Sequence, residues 1–134
     1  MLNSRKQVLI QDEINASASV MWRAHTNATV TLGNNNLSAT LTIDSSTLVA
    51  TLSNPPSGAQ FTTMEAVRLS TDPATPAGWP DQPNTGVTVL AVSLPAGQYT
   101  LEILLDPQWP GVSSSSYVEP SSVPLNQWSL TSHP

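Results

Sequence analysis

The chain has 134 residues, enough for one domain whose core folds without metal ions or disulfides. Only 10% of the residues are charged, and 9 acidic residues against 4 Lys and Arg give a net charge of -5, which disfavours nucleic acid as a partner. Cysteine is absent, which excludes disulfide frameworks, thiolate zinc sites and thiol catalysis.

Apolar residues recur with a period close to two, and β-branched residues dominate the apolar runs, which indicates strands. In the second strand, Val20, Trp22 and Ala24 face one side, and Arg23 and His25 face the other. This pattern predicts an all-β fold, an antiparallel two-sheet β-sandwich. The predicted strands are residues 7–11, 19–25, 28–32, 37–43, 47–52, 60–64, 86–94 and 98–105, with 125–130 docking as a last strand.

The connections carry turn residues. Residues 33–36 predict a hairpin between the third and fourth strands, and residues 95–97 predict another between the two apolar runs that read as strands buried on both faces. Residues 72–85 contain four prolines and predict a long surface loop, and a Pro/Ser-rich C-terminal tail begins at residue 106. We expect residues 1–134 to form a single β-sandwich domain.

Residues suited to catalysis are few and scattered. His25 and His133, the two histidines, build no local zinc motif, and a structural strand histidine is the simpler interpretation of His25. Asp12 and Glu13 are neighbours in a strand, so they point to opposite faces and cannot flank one glycosidic bond. The chain has no nucleophile elbow and no glycine-rich phosphate loop. We therefore expect no catalytic residue, no metal and no cofactor.

Tryptophans beside proline in the predicted loops suggest a ligand site, because indole rings stack on the C–H faces of sugars. Asp72 and Asp81 bracket Trp79, and their carboxylates could bind sugar hydroxyls or calcium. Their spacing matches no regular calcium loop, and acidic residues in loops more commonly stabilise turns. The alternative for a loop tryptophan is to cap a sandwich end, whereas Trp22 and Trp128, in predicted strands, are interpreted as core residues. The predicted carbohydrate-binding residues are Trp79, Asp81, Trp109 and Tyr117.

Three proline-free N-glycosylation sequons begin at Asn15, Asn27 and Asn36. Their density favours a glycoprotein whose relatives are secreted or extracellular. The first residues lack the long apolar core of a signal peptide, so we expect none in this chain, and no segment reaches the roughly 20 apolar residues of a membrane span. We expect no membrane association.

Two stretches near the N-terminus, residues 5–14 (RKQVLIQDEI) and 20–26 (VMWRAHT), resemble the "vlvqDei … W-x-x-H-T" pattern of heparinase II/III-like polysaccharide lyases. Residues 83–90 and 123–133 are similar to the closing strands of these proteins, particularly fungal ones. The resemblance covers nearly the whole chain and implies the C-terminal β-sheet region of such a lyase.

The resemblance implies a parent enzyme that joins a helical toroid to antiparallel sheets and cleaves uronic-acid polysaccharides by β-elimination. It also implies that the catalytic tyrosine and histidines lie upstream of the position matching Leu2, and that His25 matches the structural histidine of W-x-x-H-T. We therefore expect a non-catalytic, lectin-like domain with a glycan or polysaccharide as partner. The alternatives are a structural module that buttresses a parent lyase or forms homo-oligomers through exposed strand edges, and a lyase acting on uronic-acid polysaccharides.

Overall fold

Antiparallel strands form almost all the regular structure of the chain, whose computed structural model describes residues 3–129. The remaining regular segments are four short 3-10 turns. The strands are β1 (Val8–Ala16), β2 (Val20–Thr26), β3 (Thr29–Leu32), β4 (Ser38–Ile43), β5 (Ser46–Ser53), β6 (Phe61–Glu65), β7 (Thr88–Leu94) and β8 (Gly97–Pro107). The strands predicted within residues 7–105 are therefore confirmed, with shifts at their ends and a β1 that extends five residues further.

The strands form two sheets, a five-stranded sheet in the order β1-β8-β5-β4-β3 and a three-stranded sheet in the order β2-β7-β6. All strand pairs are antiparallel, so the predicted two-sheet β-sandwich is confirmed. The main core lies between the sheets, because one buried cluster takes Phe61 and Val92 from the three-stranded sheet and Leu101 and Ile103 from the five-stranded sheet. Apolar alternation in each strand thus supplies one wall of a shared core.

The orientation predicted for β2 is confirmed. Trp22 packs against the main core, whereas Arg23 and His25 are exposed on the opposite face. β2 pairs with β7, where Arg23 lies opposite Ala91 and His25 opposite Val89. The outward face of the three-stranded sheet therefore carries both polar side chains of β2, Arg23 and His25.

The hairpin predicted at residues 33–36 is confirmed by the pairing of β3 with β4, but the hairpin predicted at residues 95–97 is wrong. β7 and β8 belong to different sheets, so this connection crosses from one sheet to the other. Gly97 has a φ of 155°, and a Cβ atom placed on it would lie 2.6 Å from the Tyr99 hydroxyl oxygen. Only glycine fits this crossing without displacing the ring.

The C-terminal tail, residues 108–129, lies along the five-stranded sheet through hydrogen bonds from side chains of β1. The side-chain amide of Gln11 donates to the carbonyl of Val123 at 2.8 Å, and the Glu13 carboxylate accepts from the amide of Leu125 at 2.7 Å. Side chains therefore bind the backbone of the tail, which forms no strand within the described residues.

The last strand predicted at residues 125–130 is wrong over its described part. Leu125–Gln127 forms a 3-10 turn, while residues 130–134, including His133, lie outside the described residues. Trp128 follows this turn, is 36% exposed, and donates from Nε1 to the carbonyl of Val123 at 3.0 Å. The prediction that Trp128 is a core residue is also wrong, since carbonyl contacts and prolines replace strand pairing in this segment.

Asp106, the first residue assigned to the tail, instead lies near the end of β8. Burial raises the pKa of Asp106, a hydrogen bond from Gln7 opposes the rise, and Glu119 adds to it. Since the folded chain then binds this proton more tightly than the unfolded chain, the contribution of Asp106 to stability is greatest below the ordinary carboxyl pKa. It is lost as the pH rises through the raised value.

We expect Asp106→Asn to be more stable than the wild type at neutral pH, because the amide removes the buried charge and keeps an oxygen for Gln7. The gain is about 0.5 kcal/mol at most, since solvent screens this partly exposed group. This gain should vanish near pH 3, roughly one unit below the ordinary pKa of the carboxyl, because the carboxyl is then protonated in both the folded and the unfolded chain. Urea unfolding at both pH values measures it, with the exposed turn residue Asp44→Asn as control. Equal gains at the two pH values would contradict this account.

Candidate functional site

The connection between β6 and β7, residues 66–87 and called here the β6–β7 loop, lies on the outward face of the three-stranded sheet. Ala66, at its start, packs in a small buried cluster with Val89 and Ala91 of β7. Further along, Asp72 lies 3.6 Å from the guanidinium of Arg23 on β2, measured from Oδ1 to Nη2. The loop is therefore attached to the sheet at an apolar and an ionic contact. Regular strand or 3-10 structure is absent from this part of the described chain.

A bidentate ion pair between Arg68 and Asp81 joins the two arms of the loop. The guanidinium of Arg68 donates from Nη2 to Oδ2 of Asp81 at 2.8 Å and from Nε to both carboxylate oxygens at 3.1 and 3.2 Å. Its Nη1 donates to the carbonyl of Pro73 at 3.1 Å. The hydrogen bonds to Asp81 raise the pKa of Arg68 above its ordinary value. Such planar pairing fixes the direction of the carboxylate as well as its position.

Two further hydrogen bonds fix the shape of the loop. The amide of Leu69 donates to Oδ2 of Asp72 at 2.7 Å, which closes a short turn after Arg68. The side-chain amide of Asn84 donates to the carbonyl of Ala66 at 2.8 Å and ties the end of the loop to its start. Backbone groups that no strand pairs are thus satisfied by side chains, so the loop holds a defined surface.

The surface so formed includes an open pocket of about 760 Å³ with several polar side chains on its wall. Those polar side chains belong to Arg68, Ser70, Asp72, Asp81, Gln82 and Asn84. Trp79 lies two residues before Asp81 and is 73% exposed, after a turn in which its amide donates to the carbonyl of Pro76 at 3.1 Å. Gly78 supplies the φ of +82° in that turn. Trp79 itself does not line the pocket, but its exposed indole and the oriented carboxylate of Asp81 occur within three residues of the same loop.

The four predicted carbohydrate-binding residues divide into two pairs. Trp79 and Asp81 share the β6–β7 loop on the three-stranded sheet, whereas Trp109 and Tyr117 share the tail on the five-stranded sheet. In the tail, the Tyr117 hydroxyl accepts from the Trp109 amide at 3.3 Å and donates to the carbonyl of Pro107. The Trp109 indole Nε1 donates to the carbonyl of Lys6 at 3.1 Å. The structure does not bring the four residues into one site.

The two arginines of the loop site were not predicted as site residues. Arg68 lies before the predicted loop, and Arg23 lies on a strand far from it in sequence. The available signal was the small number of cations: the chain has 4 Lys and Arg, so any ion pair of Asp72 or Asp81 with Lys or Arg had to use one of these four. The calcium alternative finds no support, since no group of three His, Cys, Asp or Glu comes together among residues 3–129.

The three sequons differ in their surroundings. Asn15 is exposed on β1, and Asn27 is exposed in the turn between β2 and β3. Asn36 is partly buried in a 3-10 turn, and its sequon partner Ser38 packs against Gly33. Asn15 and Asn27 therefore present better accessible amides than Asn36.

Within the described residues, no helix has the length and apolar character that crossing a membrane requires.

Comparison with known families and curated proteins adds no relative from which a function could be transferred. No family model matches the chain, and no curated protein matches it.

Proposed function

We propose that the chain is a non-catalytic carbohydrate-binding domain, and that the β6–β7 loop is its binding site. The observation that carries this proposal is the exposure of Trp79, at 73%, two residues before Asp81, whose carboxylate Arg68 holds in a fixed direction. A large indole left in water on a surface segment otherwise fixed by hydrogen bonds is well suited to a ligand.

The chemistry of the loop matches that of a sugar. An indole ring offers an apolar face for the C–H side of a pyranose, while Asp81 and the amide of Gln82 offer hydrogen-bond partners for its hydroxyls. Because the hydrogen bonds of Asn84 and Asp72 already shape the loop, little ordering entropy is lost on binding. The site therefore combines stacking, polar recognition and preorganisation.

The sequence supports the same class of ligand. The resemblance of residues 5–14 and 20–26 to heparinase II/III-like lyases favours a carbohydrate-related setting in which catalysis belongs to other segments. The sequons favour a secreted glycoprotein. A surface with few charges and many Ser, Thr and Asn residues also suits contact with glycans. We place Trp109 and Tyr117 outside this site, because their polar atoms bind the tail and the chain before β1.

Replacing Trp79 by alanine is expected to weaken glycan binding about tenfold or more, since loss of a buried aromatic contact costs roughly 1.5–3 kcal/mol. A glycan array followed by titration calorimetry measures the change. Trp109→Ala is the matched control, because it removes the tail tryptophan, which is 47% exposed, and should leave the affinity unchanged.

Two results would contradict the proposal. Equal affinity of the wild type and Trp79→Ala would remove the loop as the site, and loss of binding in Trp109→Ala alone would move the site to the tail. If the wild type binds no glycan at millimolar concentration, carbohydrate binding itself is wrong.

A further inference from the structure

We propose that the β6–β7 loop selects neutral, hydroxyl-rich glycans and rejects uronate chains. This inference rests on the proposed function, because it names the class of glycan that the same site takes. It departs from the uronic-acid substrates that the family resemblance implies, and it follows from how charges are distributed in the loop.

Every arginine at the loop already has an acidic partner. Arg68 is engaged by Asp81 at 2.8 Å, and Arg23 lies 3.6 Å from Asp72. The two ion pairs together are neutral, but Arg23 does not line the pocket, so the wall itself carries one cation, Arg68, and two carboxylates, Asp72 and Asp81. A uronate entering it would have to displace Asp81 from Arg68, or remain without a cation in a partly desolvated position.

No further Lys or Arg of residues 3–129 is placed to receive a uronate. The chain has 4 Lys and Arg in total, and the remaining two, Arg5 and Lys6, come just before β1 of the five-stranded sheet. The pocket wall, as far as the described residues form it, holds Arg68 as its one basic residue. Glu65 lines an adjoining hollow and adds negative charge, and the net charge of -5 repels polyanions at longer range.

The same groups suit hydroxyls. A carboxylate oriented by arginine keeps lone pairs that accept hydrogen bonds from hydroxyl groups, which is open to Asp81 because it is exposed. Asn84 donates its amide to the carbonyl of Ala66, so its Oδ1 can accept from a hydroxyl, and the amide of Gln82 can donate or accept. The hydrogen-bond acceptors of the pocket are therefore uncharged amides and carboxylates that already pair with arginines. A neutral sugar can donate its hydroxyls to them without breaking an ion pair.

The test compares oligosaccharides that differ only in the oxidation state of carbon 6. Mannohexaose is paired with a mannuronate hexamer, and cellohexaose with a β-1,4-linked glucuronate hexamer. Titration calorimetry on the full chain at low salt should show at least one neutral member bound about tenfold or more tightly than its uronate counterpart, with the ratio narrowing as salt screens the repulsion. Equal or tighter binding of the uronates overturns the inference but leaves carbohydrate binding intact. Absence of binding to all four at millimolar ligand overturns the proposed function as well.

A charge variant supplies a second readout. Asp81→Asn frees Arg68 to receive an anion, and Asp81 is exposed, so the fold should be retained. We expect the neutral-to-uronate affinity ratio to fall about tenfold in this variant, from a gain for uronate and a loss for the neutral glycan. Glu119→Gln, which changes the net charge equally but lies in the tail, should leave the ratio near that of the wild type. An unchanged ratio in Asp81→Asn would show that the Arg68–Asp81 pair does not set the selectivity.

Discussion

Replacing Phe61 by alanine is expected to lower the free energy of unfolding by about 3–5 kcal/mol. Phe61 is the only phenylalanine, is 0% exposed, and lies on β6 opposite Val92 of β7. Its cluster also contains Leu101 and Ile103 from the other sheet, so the ring fills space between the sheets. Alanine loses the transfer free energy of the ring and leaves a cavity that two hydrogen-bonded sheets cannot close.

Urea unfolding followed by tryptophan fluorescence measures this loss, because Trp22 packs against the same core. Phe61→Leu should lose clearly less, since it retains most of the apolar volume. Ser93→Ala, on an exposed position of β7, should stay within about 0.5 kcal/mol of the wild type. If Phe61→Ala unfolded at the same urea concentration as Ser93→Ala, the core would not lie between the two sheets.

The strands were predictable because the alternation of apolar and polar residues within a strand shows which of its faces is buried. Alternation in β2 placed Trp22 inward and Arg23 outward, and continuous apolar runs identified β7 and β8 as central strands. Which sheet a strand joins was not predictable in the same way. The short connection at residues 95–97 has the composition of a hairpin turn, yet it crosses between sheets because β8 pairs with β1 and β5, which lie far away in sequence.

The candidate site was predictable in part for a similar reason. Trp79 and Asp81 stand out locally as an aromatic and an acid within a proline-rich loop. Arg68 does not, because its role depends on a fold of the loop that brings it back to Asp81 across 13 positions. In the sequence Trp109 looked equivalent to Trp79, with Tyr117 as a weaker candidate, but the hydrogen bonds of Trp109 to Lys6 and of Tyr117 to Pro107 depend on where the tail lies.

The position of the tail was not predictable, because many of its hydrogen bonds come from side chains of residues more than one hundred positions away. Gln11 and Glu13 read as ordinary polar positions of a half-exposed strand. In the folded chain they bind the backbone at Val123 and Leu125. Glu102, in the middle of β8, is 2% exposed and accepts a hydrogen bond from Ser122 at 2.6 Å. The tail thus covers the polar side chains of Gln11 and Glu102, which would otherwise face water.

Gln7 is the residue on which the attachment of this tail depends most, and Gln7→Ala is expected to lower the free energy of unfolding by about 2–4 kcal/mol. Its side chain is 0% exposed and makes four hydrogen bonds. Nε2 donates to Oδ1 of Asp106 at 2.7 Å and to the carbonyl of Val118 at 3.1 Å. Oε1 accepts from the amide of Val118 at 2.9 Å and from Asn3 Nδ2 at 2.9 Å. Every donor and acceptor of the amide is used, so alanine leaves several partly buried groups unpaired.

Urea unfolding and hydrogen exchange of the Val118 amide report this change separately for the whole fold and for the tail. Gln60→Ala, an exposed glutamine before β6, is the matched control and should cost no more than about 0.5 kcal/mol. Gln7→Glu keeps the acceptor for Val118 but places a second carboxylate against Asp106, so its loss should be larger at neutral pH than in acid, where both groups are protonated. If Gln7→Ala matched Gln60→Ala in stability and kept the Val118 amide protected, the tail would be held by contacts other than the hydrogen bonds of Gln7.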